Sequence, residues 1–196
     1  MVESFIGEEI FPHSIRKYVT ARYYSNSTTA DRWNGLSEAS GKPAGEIAAG
    51  WTQQPGFPMV KVMRHDSARV GLVQERFTLH FPNAPALEWK IPLTYALADA
   101  KSPTGLLMTT KTLELENIPG DHALKVNVEG TGNYRVQYDP ASWKLRVGAL
   151  PKLSVQDRVN LPSDAWALAQ HRPAPTPLLS GGQRTGQPAL VMWAHG

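Results

Sequence analysis

From Met59 to Asp139 the apolar residues recur at every second position, whereas on either side of that stretch they recur every third or fourth. A period of two suits an extended chain with one face inward. A period near 3.6 suits a helix. The change of period is the strongest constraint on the fold. MVKVMR alternates through Val60 and Val62, and VGLVQERFTLHF through Val73, Phe77, Leu79 and Phe81. LEWKIPLTYAL places Leu87, Trp89, Ile91, Leu93 and Tyr95 on one face. GLLMTTKTLEL and HALKVNV supply two further candidates, and YRVQY closes the series with Tyr134, Val136 and Tyr138. About six or seven short strands divided by Pro, Asn, Asp and Gly predict an antiparallel β-sandwich. Pro92 cannot donate to a ladder, so its run belongs at an edge or carries a bulge.

Helical spacing flanks this region. Ile15, Tyr18, Val19 and Arg22 share a spacing with Phe11 one turn earlier, and Pro12 fits a first turn. The turn YSNSTT leads to Thr28, which can cap a second helix with Asp31 as its acidic partner. Trp33, Leu36, Ser37 and Ser40 form one face of that helix, and Gly41 ends it. A third helix from Pro43 carries Ile47 and Trp51, and Pro55, Gly56 and Pro58 stop it. After Asp139, Ser142 is expected to cap a short helix through Trp143 and Leu150. Ser154 with Asp157 resembles a capping box for a longer helix bearing Arg158, Leu161, Ala165 and Leu168. Pro162 should kink that helix or delay its start. From His171 onward, four prolines and four glycines in 26 residues predict a loose tail whose final VMWA could dock on a surface.

Composition narrows the chemistry. A net charge of +3 from 20 basic and 17 acidic residues is spread without a basic stripe, which argues against nucleic acid as a partner. There is no cysteine, so disulfides, thiolate catalysis and cysteine zinc sites are excluded. The opening MVESFIGEEIF lacks the charge and apolar core of a signal peptide, and no run approaches the length of a membrane span. A cytoplasmic chain without membrane contacts is the expectation.

The six histidines, 13, 65, 80, 122, 171 and 195, include no pair at i,i+4 and no His-Glu-x-x-His. A catalytic zinc site on a helix needs such a pair on one face. There is no G-x-S-x-G elbow. Glu8 and Glu9 point to different helix faces, and Glu114 and Glu116 share a strand face read as solvated. The glycines of GTGNYRVQYD imitate a dinucleotide fingerprint, but Arg135 stands where its third glycine belongs and a strand follows instead of a helix. Gly132 is therefore read as a turn, with Tyr134, Val136 and Tyr138 facing a packed layer and Arg135 and Gln137 facing solvent or a neighbouring unit. Asn26-Ser27-Thr28 matches a glycosylation acceptor but is read as a turn and cap. The six tryptophans, 33, 51, 89, 143, 166 and 193, could stack on carbohydrate or pack internally, and their periodic faces favour packing.

Several of these stretches together resemble the aminopeptidase N family of zinc aminopeptidases, the thermolysin-like gluzincins. Ile15-Arg16-Lys17-Tyr18, Thr29 to Trp33, and Trp51-Thr52-Gln53-Gln54-Pro55-Gly56-Phe57-Pro58 are similar to the end of that family's catalytic domain and its exit. Gly132, Tyr134, Arg135, Val136, Tyr138 and Asp139 are similar to the last strand of its small β-sandwich domain. Asp157-Arg158 and Asp164-Ala165-Trp166-Ala167-Leu168-Ala169 resemble the opening of its superhelical domain. The resemblance covers about residues 3–170. It implies a mixed α and β fold with four parts: a helical segment at 1–57, a sandwich at 58–140, the start of a helical superhelix at 141–170 and an irregular Pro/Gly-rich tail at 171–196.

The family's Gly-Ala-Met-Glu-Asn loop, its His-Glu-x-x-His helix, the distal zinc glutamate and the transition-state tyrosine all lie upstream of the matching region. None is present here. No catalytic, cofactor or metal residue is therefore assigned to any position of this chain. Zinc and peptide substrates are implied only for a full-length parent, which would hydrolyse N-terminal amino acids. The expected role is a non-catalytic inter-domain scaffold, the alternative a stand-alone interaction module. Open faces that would meet missing domains predict self-association or limited solubility.

Overall fold

The computed structural model describes residues 1–170 except 8, 22, 24–27 and 82. The expectations for Glu8, Arg22, the Asn26-Ser27 sequon, and His171, Trp193, His195 and the VMWA run of the tail lie outside the described residues.

Four helices come first: α1 (Val2–Ile6), α2 (Ile10–Ala21), α3 (Thr29–Ser40) and α4 (Ala44–Thr52). They form where local signals agree. Thr28 and Asp31 make a reciprocal capping box on α3, and Gly41 closes that helix in the left-handed conformation at φ 65°. Ile6, Leu36 and Ala44 form a small core under Phe5, Phe11, Ile15 and Trp33. Val19, placed by its spacing on the inner face of α2, is instead exposed, because the packed face runs through Phe11, Ser14, Ile15 and Tyr18.

Seven strands follow: β1 (Phe57–Arg64), β2 (Val70–Phe77), β3 (Ile91–Leu97), β4 (Thr104–Met108), β5 (Thr112–Leu115), β6 (Leu124–Val126) and β7 (Arg135–Tyr138). They form two sheets in the orders β5-β2-β1-β7 and β4-β3-β6. One core lies between them. Val60, Val62, Val70, Leu72 and Val136 come from the first sheet, and Ile91, Leu93, Met108, Leu124 and Val126 from the second, with Trp89 just before β3. The pairing is antiparallel except between β1 and β7, which run parallel in the register Met59↔Arg135 to Val62↔Tyr138. The sandwich is thus mixed rather than wholly antiparallel. The long connection through the second sheet lets β7 return beside β1 in the same direction.

Two local expectations change. The face of β2 turned to the main core is Val70, Leu72 and Gln74; Phe77, at the strand's end, is buried against Phe57 outside that core, Val73 is half-buried, and Phe81 beyond the strand is exposed. Both faces of this strand carry apolar residues, so alternation alone does not choose between them. The run GLLMTTKTLEL divides into β4 and β5, one in each sheet. Pro92 sits in the central strand of its sheet, yet β6 pairs only Tyr95 to Leu97, leaving Pro92 beyond the end of that ladder.

Two helices close the described chain: α5 (Pro140–Gly148) and α6 (Val155–Gln170). The cap of α5 is Asp139, whose carboxylate accepts from the backbone N–H of Ser142 at 2.7 Å. Ser142 is therefore inside the first turn rather than capping it. Ser154 caps α6 by accepting from the backbone N–H of Asp157 at 3.1 Å. Pro162 lies inside α6 without delaying its start. Both Pro162 and Arg158, whose carbonyl loses a partner, are exposed, so water can satisfy that carbonyl.

Candidate functional site: a buried polar junction

The polar residues gathered under α6 are the densest buried cluster among the described residues. Lys125 is 2% exposed, in β6 between Leu124 and Val126. Its ammonium donates to the Val126 carbonyl at 2.9 Å and to the Asn160 side-chain oxygen at 3.1 Å, and it pairs with Asp157 at 3.1 Å. Asp157 also accepts from the backbone N–H of Glu129 at 2.7 Å. That N–H points at α6 because the chain turns sharply here, with Asn127, Glu129 and Gly130 at positive φ.

Two turns along α6, Asp164 is 2% exposed and closes the free edge of β7. One carboxylate oxygen accepts from Arg135 at 3.1 Å and the other from the backbone N–H of Val136 at 3.2 Å. An unpaired strand edge is a template for unwanted pairing, and a buried acceptor removes it. From α5, buried Arg146 donates to the Leu124 carbonyl and lies 3.0 Å from the centroid of the Tyr138 ring. The Tyr138 hydroxyl in turn donates to the Val126 carbonyl at 3.1 Å.

Burial governs the ionisation of these groups. It pushes the Asp164 carboxyl above the usual carboxylate range, with Arg135 opposing. It pulls Lys125 below the usual lysine value, with Asp157 opposing, and raises the Tyr138 phenol. Asp139 goes the other way. Burial pushes it up, but hydrogen bonds from the Ser142 N–H and hydroxyl and from the Arg64 and Ala141 N–H groups together hold it low.

Asn127 organises the turn before β7. Its amide donates to the carbonyls of Gly132 and Tyr134 at 3.0 and 3.1 Å, and its oxygen accepts from Gly132 N–H at 2.7 Å. Gly132 is needed for space rather than for a left-handed backbone: a Cβ there would lie 2.1 Å from Cε1 of Tyr134. Gly130, at φ 66°, supplies the reversal. GTGNYRVQYD is a strand entry wrapped around one buried amide. Tyr134 and Val136 face the core, Gln137 is exposed, and Arg135 meets α6, the neighbouring unit.

The positions singled out by resemblance converge here. Tyr134, Arg135, Val136, Tyr138 and Asp139 on the strand side meet Asp157 and Asp164 on the helix side. Comparison with known proteins agrees. Residues 123–179 match the family model described as the ERAP1-like C-terminal domain. Over 167 residues the chain is 34% identical to Tricorn protease-interacting factor F2 of Thermoplasma volcanium, covering 85% of this chain and 20% of that one. It is 33% identical to Probable aminopeptidase 1 of Saccharolobus solfataricus, covering 85% and 20%, and 31% identical to Aminopeptidase A of Gloydius brevicauda, covering 87% and 19%. This chain is homologous to a segment of the zinc aminopeptidases of the aminopeptidase N family. It spans about a fifth of the length of the relatives it matches. The span matched to the ERAP1-like domain begins at residue 123, so it includes β6 and β7 together with α5 and α6.

The described residues do not offer a site for a zinc ion. Among the described residues no three His, Asp or Glu side chains are placed to hold a metal. His13, His65 and His80 are exposed and scattered. His122 contacts Asp121 at 2.8 Å and Asp99 at 3.6 Å on the surface. Glu114 reaches Arg69 at 3.8 Å, and Glu116 is exposed. Trp89 is buried and Trp51 and Trp33 pack on the two cores, but Trp166 is exposed. Among the described residues no helix is long and apolar enough to cross a membrane.

Sequence reasoning missed Lys125, Asn127, Asn160 and Arg146 as members of the junction. Lys125 and Asn127 occupy the polar positions of an alternating strand, which normally face water. Here α6 covers Lys125, and Asn127 is buried in the turn before β7. The signal that could have found them is the pair of acids two helical turns apart, Asp157 and Asp164, on the face of α6 that also carries Leu161.

Proposed function

We propose that this chain is a non-catalytic scaffold that holds a helical unit on each side of a β-sandwich at a defined angle. The observation that carries this reading is the double attachment of α6 through Asp157 and Asp164. Each carboxylate meets both a cation and a backbone N–H of the sandwich region. A helix held by apolar contact alone can rotate or slide. One held by two buried carboxylates about 10 Å apart along its axis has a single register. In a longer relative, zinc and the peptide substrate would belong to other parts of the protein, and the reaction would be removal of an N-terminal amino acid.

Two measurements test this. Assays of the chain on aminoacyl-anilide substrates, with metal analysis, are expected to give neither turnover nor stoichiometric zinc. Turnover accompanied by one zinc per chain would overturn the reading. Limited proteolysis of Asp164→Ala is expected to release α6 fragments while the sandwich survives. An unchanged cleavage pattern would remove the argument for a scaffold. A second reading, a stand-alone interaction module, is favoured by one observation, the apolar outer face of α6.

A further inference from the structure

The inner face of α6 carries Asp157, Asn160 and Asp164 beside Leu161, while on the outside, among polar residues, Val155, Val159 and Trp166 are 62%, 65% and 67% exposed. With exposed Pro162 these residues follow the spacing four, three, four, a continuous stripe along three turns. The stripe runs into a groove of about 460 Å³ whose apolar lining includes Phe57, Phe77, Leu79, Phe81 and Trp166, with Arg135 and His80 among its polar residues; Phe81 is 72% exposed. Arg158 is the one charged residue among the exposed positions of α6.

We propose that this stripe is a self-association surface on which a second copy of the chain pairs antiparallel through α6. Val155 and Trp166 lie equally far from the middle of the stripe, as do Val159 and Pro162. A twofold axis at the middle therefore sets Trp166 of each copy over Val155 of the other, a large residue against a small one. The antiparallel arrangement also opposes the two helix dipoles favourably.

The available area suits a second copy. Trp166 and Phe81 at their exposures offer roughly 200–350 Å² of apolar surface, and the two valines add about 100 Å². At a usual apolar share of about 57%, this corresponds to about 500–800 Å² per copy, the lower edge of a standard interface. The pairing is accordingly weak and concentration-dependent. A net charge of only +3 gives little repulsion between copies.

Sedimentation of the full chain over a roughly hundredfold concentration range tests the proposal. The mass is expected to double within the range. Trp166→Glu and Val159→Glu should each weaken pairing at least about tenfold, with unchanged circular dichroism, and Val19→Glu on exposed α2 should not. The chain has no cysteine, so Val159→Cys, near the axis, gives a clean probe and should form a disulfide-linked dimer on oxidation. A monomer at every concentration overturns the proposal, as does a dimer indifferent to both glutamate variants. A monomer whose Trp166 resists oxidative footprinting also overturns it, in favour of a cover drawn from the chain itself.

Discussion

The sandwich meets helices along two seams, and the seams are made of opposite materials. At the first, α4 brings Trp51 against the main core, its ring centroid 6.4 Å from that of Trp89. Its polar contacts are neutral: Trp51 Nε1 donates to the Lys90 carbonyl at 3.1 Å, and the Gln54 amide to the Glu88 carbonyl at 3.1 Å. The ion pair there, Lys90 with Glu46, lies at the surface. At the second seam, charged groups are inside. The first seam gains from any close contact of apolar surface and tolerates small rotations. The second fits in one arrangement, because each buried charge must find its partner or remain unsatisfied. Under the proposed scaffold role, stability and orientation fall to different sides of the same sandwich.

The largest break in this contrast comes from removing half of a buried pair. Asp157→Ala leaves Lys125 without its carboxylate and the Glu129 N–H without an acceptor. A loss of about 3–5 kcal/mol in urea unfolding is expected. Replacing both partners, Lys125→Met with Asp157→Leu, should recover much of that loss while hydrogen exchange in α6 stays fast, separating stability from orientation. Gly132→Ala comes next. Its Cβ would collide with the Tyr134 ring and push Asn127 out of its bonds, at about 1–3 kcal/mol. Trp51→Phe keeps most of the packing at the first seam and loses one neutral hydrogen bond, about 1 kcal/mol. If Trp51→Phe cost as much as Asp157→Ala, the two seams would not differ in kind.

The local features of this fold were legible because their causes are local. The Thr28 and Asp31 box, the Gly41 stop and the alternation of Tyr134, Val136 and Tyr138 need only a few neighbouring residues. The pairing of β7 with β1 joins residues more than seventy positions apart, and no short pattern encodes it. The division of GLLMTTKTLEL between two sheets turns on Thr109–Lys111, where the polar text reads as one strand's outer face. Lys125 was illegible for a related reason. Its position looks solvated until α6 is laid over it, and α6 looks ordinary until its acids are seen to face inward. The motif positions were visible through resemblance well before their physical role. The structure supplies that role: they are the two halves of one seam.

The smallest expected effect is also the sharpest probe of the charged seam. Burial raises the Asp164 carboxyl above its ordinary value, so the folded chain keeps this proton at a pH where the unfolded chain, near about 3.9, has released it. The stabilisation from that proton is full below about pH 3.9 and is lost as pH rises through the raised value; above it the contribution is flat. Asp139, held low by N–H donors, contributes in the opposite sense. Its share is present above about pH 3.9 and lost as pH falls through its depressed value. The two carboxylates therefore act in adjacent windows. Asp164→Asn keeps an acceptor for the Val136 N–H, gives up the ion pair with Arg135 and lowers the cost of burial. Its net effect at neutral pH should stay within about 1 kcal/mol. It should nevertheless flatten the stability profile just above about pH 4, leaving the lower window to Asp139. A variant that retained the upper slope would show that another group carries it, and that the charge on Asp164 is balanced more fully by Arg135 than its burial implies.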